Sequence, residues 1–109
     1  MAVATAREIF ESHMPKRLSD KPDLAQKINT VYKFAVSGDG GGTWLVDLTQ
    51  GSGKITEADG DAKCTITIAA KDFVDIVNGK LNAQMAFMSG KLKVAGDMGL
   101  ALKLTALLG

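Results

Sequence analysis

One cysteine, one histidine and two prolines are the chain's whole supply of these residues, and each scarcity excludes something. Cys64 has no second cysteine, so no intrachain disulfide can staple the fold and nothing points to an oxidising compartment. Cys64 and His13 together are too few for a cysteine–histidine zinc site, and no metal or other cofactor is expected. An excess of either charge is also missing. Thirteen Lys and Arg face twelve Asp and Glu, a net +1. Nucleic acid is therefore not an expected partner, because phosphate binding requires a clear cationic excess on one face. No apolar run approaches the ~20 residues that cross a bilayer. Neither a secretory leader nor a prenylation cysteine or Ser-Lys-Leu tail is expected. The expected location is the cytoplasm, and the oligomeric state is left open.

What is present suffices for one core. The 109 residues are 46% apolar and 23% charged, the composition and length of a single globular domain, 1–109. Thr5 is placed to cap a first helix, with Glu8 completing a capping box. Ala6, Ile9, Phe10, His13 and Met14 fall on one side of it. Pro15 predicts a break or kink at Met14, with one more turn over Lys16 to Asp20. Pro22-Asp23 opens a second helical piece that ends near Asn29.

A strand pattern follows. Thr30, Tyr32, Phe34 and Val36 alternate with Val31, Lys33 and Ala35. The glycine-rich run 38–42 is a hairpin turn. Trp44, Val46 and Leu48 then alternate with Leu45, Asp47 and Thr49. Gly51-Ser52-Gly53 makes a second turn, Lys54 to Glu57 a short strand, and Asp59-Gly60-Asp61 a third turn. The next strand turns Cys64, Ile66 and Ile68 inward. Ala70 to Asn78 reads as a helix stopped by Gly79. Asn82 to Met88 fits helix or loop equally. Lys91 to Ala95 is a last strand, and Asp97 caps a helix that runs to Leu108. Helices that bracket and interrupt hairpin-linked strands give an α+β fold.

Motifs for catalysis are scarce. Cys64 and His13 make a nucleophile–base pair only if the fold joins them. Cys64 shares a face with Ile66 and Ile68, which reads as a buried, inert thiol. The run Gly38 to Thr43 fails the dinucleotide pattern and leads into a strand. Gly51-Ser52-Gly53-Lys54 ends like a phosphate loop but has Leu48 and Ile55 where Gly and Ser or Thr are required. Asp59-Gly60-Asp61 lacks the distal Glu of a calcium loop. No enzyme activity is expected.

The informative feature is the C-terminal third. From Gly79 to Gly109 there are four basic residues (Lys80, Lys91, Lys93, Lys103) against Asp97 alone. The same stretch is the most apolar. Between Met98 and Leu108 only Lys103 and Thr105 are plainly polar, whereas a helix packed on one side needs an apolar stripe of only about 100°. Such a helix is either a well-buried terminal helix or one that closes a lipid-sized cavity or docks on a membrane or partner. Met85, Met88 and Met98 suit a pocket that accepts several apolar shapes. The four lysines are placed to meet anionic lipid head groups in transient membrane contact.

The run Gly79-Lys80-Leu81-Asn82-Ala83-Gln84-Met85-Ala86-Phe87-Met88-Ser89-Gly90-Lys91-Leu92-Lys93-Val94, its extension back to Phe73 and its continuation to Leu104 resemble the signature of the sterol carrier protein 2 domain. Trp44-Leu45-Val46-Asp47-Leu48 and the segment Asp61 to Ile68 resemble it too, so the likeness covers nearly the whole chain. It implies a five-stranded, mostly antiparallel sheet of order 3-2-1-4-5 covered on one face by helices. It also implies an apolar tunnel between them. It further implies a non-enzymatic binder and carrier of fatty acids, fatty acyl-CoA or sterols.

The implied tunnel wall has Phe34, Trp44 and Val46 on the sheet and Phe73, Ile76 and Val77 on the following helix. Phe87, Met88 and Leu92 come next, then Met98, Leu102 and Leu104. Gln84 is placed to bond a ligand head group, or to tie down its own loop. Ala83 stands where the family usually has Pro. Without the peroxisomal tail the chain is expected to be a freestanding, prokaryotic-looking member, with acyl chains or acyl-CoA as safer ligands than sterol. The competing expectation is an interaction or dimerisation module that uses the apolar C-terminal helix.

Overall fold

In the computed structural model of the chain, the described residues are 3–21, 23–38, 40–51, 53–97, 99–100 and 103. Helix α1 (Ala6–Glu8) begins as its sequence requires. Thr5 Oγ1 accepts from the Glu8 N–H at 3.2 Å. The reciprocal bond is displaced by one residue, since Glu8 Oε1 accepts from Ala4 rather than Thr5.

At Pro15, where the sequence predicts a break or kink, the helix continues unbroken. A π-helical turn (Ile9–His13) carries the chain into α2 (Met14–Asp20), and the Met14 N–H reaches back to the Ile9 carbonyl. Proline lacks an N–H and its ring crowds the carbonyl four residues earlier. A wider turn relieves that crowding without ending the helix. Helix α3 (Asp23–Ile28) ends at Asn29, whose φ of 46° is the left-handed stop that Asn tolerates.

Strands β1 (Val31–Ser37), β2 (Gly42–Asp47) and β3 (Lys54–Thr56) form two antiparallel hairpins. Strand β4 (Cys64–Ala69) then lies parallel to β1, with Tyr32 beside Cys64 and Phe34 beside Ile66. Helix α4 (Ala70–Val77) and helix α5 (Ala83–Met88) lead to β5 (Leu92–Gly96), antiparallel to β4. The sheet order is 3-2-1-4-5, and β1–β4 is its parallel pair.

Asp59-Gly60-Asp61 is therefore part of a crossover and not a tight turn. The segment passes over the open face of the sheet, where Asp59 pairs with Lys33 and Gly60 lies under Leu45. Asp59 is held below the usual carboxylate range by the Lys33 hydrogen bond, the Gly60 N–H and the Lys33 charge.

One face of the sheet is buried and the other is not. Tyr32, Phe34 and Val36, Trp44 and Val46, Cys64, Ile66 and Ile68, and Leu92 all point to the covered side. Period-two alternation fixes this, because a one-residue slip would turn the whole apolar set outward. The last strand ends at Gly96, with φ 107° and its Cα so close to the Lys63 carbonyl that an added Cβ would lie 2.3 Å from that oxygen. No other residue fits there.

Candidate functional site

Four of the residues expected in a ligand site sit at the closed end of the covered face. Phe34, Trp44, Val46 and Phe73 are all buried. Phe10, from the π turn, fills the space between them. Its ring stacks on Trp44 at 4.6 Å and 8°, meets Phe34 edge-on at 5.3 Å and touches Phe73 at 5.5 Å. Phe34 and Phe73 stack at 5.6 Å. Such aromatic pairs add about 0.5–1.5 kcal/mol each beyond their burial. Phe10 was legible as a core residue from its spacing with Ala6 and Ile9, but nothing in the sequence tied it to Trp44.

The other end of the face is different. On α4, Ile76 and Val77 are half-buried, and so is Leu81 in the following loop. That loop is tightly held. The Lys80 and Leu81 N–H groups both donate to the Asp75 carbonyl. The Asn78 side chain clamps the N-terminal segment, accepting from the Val3 N–H at 2.7 Å and donating to the Val3 carbonyl at 2.9 Å.

Helix α5, left undecided by the sequence pattern, forms because Asn82 caps it. Asn82 Oδ1 accepts from the Gln84 and Met85 N–H groups at 2.8 and 3.2 Å. An Asn before six residues of fair helix propensity is the signal that could have found it. Ala83 occupies the first helical position, where Pro is also tolerated. On this helix Ala86 is buried, while Phe87 is 42%, Met85 66% and Met88 79% exposed. The Gln84 side chain is exposed too, and Asn82, not Gln84, ties down the loop.

Leu92 is buried on β5, and Val94 half-buried beside it. Asp97 Oδ1 accepts from the Gly99 N–H at 2.8 Å, the start of helix expected there. The Tyr32 hydroxyl donates to the Leu100 carbonyl, and Leu100 packs on the core. Met98, Leu102 and Leu104 lie outside the described residues. Burial pushes the Tyr32 phenol well above its ordinary range, with Cys64 and Asp97 adding to the shift. Burial and then Asp97 push the Cys64 thiol up as well, which keeps it protonated and a poor nucleophile.

The lysines do not form one patch. Exposed Lys80 and Lys91 flank α5. Lys93 stands opposite Thr67 and so on the open side of the sheet, away from the helices. Lys103 is exposed as well.

A groove of about 730 Å³ borders the aromatic end, between the first helical segment and the β2–β3 edge. Phe10, Leu18, Trp44 and Ile55 make its floor. Arg7 and Glu57 close one side through two hydrogen bonds of 3.0 and 2.9 Å, and the Arg7 guanidinium lies 5.2 Å from the Trp44 ring. Among the described residues, no three His, Cys, Asp or Glu gather into a metal site. No described helix is long and apolar enough to cross a membrane.

The profile of the SCP-2 sterol transfer family matches residues 11–109. Sterol carrier protein 2 of Rattus norvegicus is 41% identical over 106 residues, covering 94% of this chain and 19% of that protein. Peroxisomal multifunctional enzyme A of Dictyostelium discoideum is 49% identical over 89 residues, covering 79% of this chain and 20% of that protein. The chain thus spans about a fifth of the length of these relatives. Among solved structures, sterol carrier protein domain 2 of Helicoverpa armigera superposes with a TM-score of 0.74 at 37% identity, covering 93% of this chain and 85% of that one. Sterol Carrier Protein-2 of Aedes aegypti, in complex with the C16 fatty acid palmitate, gives 0.74 at 28% identity, covering 95% and 96%.

Proposed function

The chain belongs to the SCP-2 sterol transfer family, and on that premise we propose that it is a non-enzymatic lipid-binding and transfer module. Its ligand is a single acyl chain, as free fatty acid or fatty acyl-CoA. The acyl chain lies between the covered face of the sheet and α4–α5, beside Leu100. The observation that carries this reading is the apolar surface left half-buried there: Ile76, Val77, Leu81, Val94 and Leu100 all pack on the core without being enclosed by it. The palmitate complex of the Aedes aegypti relative supports an acyl ligand on this fold.

The energetics suffice without any catalytic group. Burying a sixteen-carbon chain contributes roughly 10 kcal/mol at about 0.8 kcal/mol per methylene, before association costs. Cys64, buried and protonated, has no part in it.

The test is mass spectrometry of the purified protein under native and then denaturing conditions, followed by uptake of added palmitate and palmitoyl-CoA. One acyl chain per protein, lost on denaturation, is the expected result. No co-purified lipid and no uptake of either probe would overturn the reading.

A further inference from the structure

Among the described residues, the large apolar side chains that stand well out of the surface are Met85, Phe87 and Met88, all on α5. Their exposure is not fraying. The Asn82 cap holds one end of the helix, and the Ser89 and Lys91 N–H groups close the other by donating to the Met85 and Ala86 carbonyls. Met85 and Met88 are three residues apart and share a side, while Ala86 anchors the opposite side in the core.

The charge around this patch has one sign. Between Gly79 and Gly96 the charged residues are Lys80, Lys91 and Lys93. Lys80 precedes α5 and Lys91 follows it, both exposed. Lysine is depleted in protein–protein interfaces. Its long stem can lie along apolar surface while the ammonium reaches a polar boundary. An apolar ridge between two cations therefore complements the head-group region of an anionic bilayer better than a protein surface.

We propose that α5 docks the domain on anionic membranes, with Met85 and Met88, the two most exposed of these side chains, entering the acyl boundary and Lys80 and Lys91 meeting phosphate head groups. Docking requires no bound acyl chain, so this inference stands apart from the ligand reading. It does set the bilayer beside the half-buried apolar surface where that ligand is proposed to lie.

The experiment is flotation of the whole chain with vesicles of phosphatidylcholine alone and of phosphatidylcholine mixed equally with phosphatidylglycerol, at low and high salt. Binding to the anionic vesicles, weakened by salt, is expected. The pair Met85→Asp and Met88→Asp should weaken it by at least about tenfold. Lys80→Ala or Lys91→Ala should each cost about fivefold. Lys93→Ala, on the far side of the sheet, should cost less than either. All these positions are exposed, so the thermal midpoint should hold and palmitate uptake can be read separately on the same variants. Absent binding, or equal binding of the wild type and the aspartate pair, would overturn the proposal. So would neutral-vesicle binding that ignores the lysines. A concentration-dependent dimer lost in the aspartate pair, with no vesicle binding, would give the patch to a second copy and overturn it as well.

Discussion

The two ends of the covered face are built from similar residues and used differently. At one end Phe10 closes over Trp44, Phe34 and Phe73 in ring contacts of 4.6 to 5.5 Å. At the other, α4 and α5 leave Ile76, Val77 and Leu81 half-covered and put Met85 and Met88 into solvent.

The sharpest way to break this comparison is to empty the closed end. Phe10→Ala removes the ring shared by three aromatic partners and should cost about 3–5 kcal/mol of stability in urea unfolding. Palmitate uptake per folded molecule should remain. Loss of uptake at unchanged stability would place the ligand at the aromatic end. At the open end the order reverses. Phe87→Asp should lower palmitate affinity by about tenfold or more, because a charge would meet the acyl chain. Phe87 is already 42% exposed, so the loss of stability should stay within about 1 kcal/mol. Equal losses of binding and stability would make Phe87 an ordinary core residue.

Tyr32 gives a third test at the junction of the two ends. Its folded pKa is raised, so the folded state keeps its proton where the unfolded chain has lost it. The associated stability is complete below the ordinary phenol value near 10 and declines as pH rises through the folded value. The slope is at most about 1.4 kcal/mol per pH unit. Tyr32→Phe should remove that alkaline decline and cost about 1 kcal/mol at neutral pH for the bond to the Leu100 carbonyl. Unfolding curves between pH 8 and about pH 11 check both. The smallest effect is expected from Glu57→Gln, which breaks the exposed pair with Arg7 beside the 730 Å³ groove. Exposed ion pairs contribute little to stability, and palmitate uptake should not change. A marked drop in uptake would give the ligand to that groove.

Much of this comparison is legible in the amino-acid sequence. Alternation placed Phe34, Trp44, Val46 and Ile66 on one face, and the glycine-rich and Gly51 turns gave the first two hairpins. The α4 stop at Gly79 was equally clear. Four things were not. Pro15 reads as a break or kink, because local sterics do not reveal that a π turn can carry the helix through. Helix α5 stays ambiguous in sequence, because six residues carry too little periodicity to separate helix from loop. The site residues divided in a way no pattern could show. Strand alternation at Phe34, helical spacing at Val77 and the family resemblance at Phe87 mark all three alike as apolar site residues. Only the packed position of Phe10 separates the filled end from the open one. The lysines taken as one group were parted by the strand register, which turns Lys93 to the far side of the sheet.

The central claim is that the acyl ligand lies at the α4–α5 end. Amide chemical-shift mapping of the labelled protein during palmitate titration tests it directly. Shifts concentrated between Phe73 and Leu100, together with Tyr32, are the predicted result. Shifts confined to the first helices and the β2–β3 edge, around Arg7, Leu18 and Ile55, would contradict it, and so would a titration that moves no amide at all.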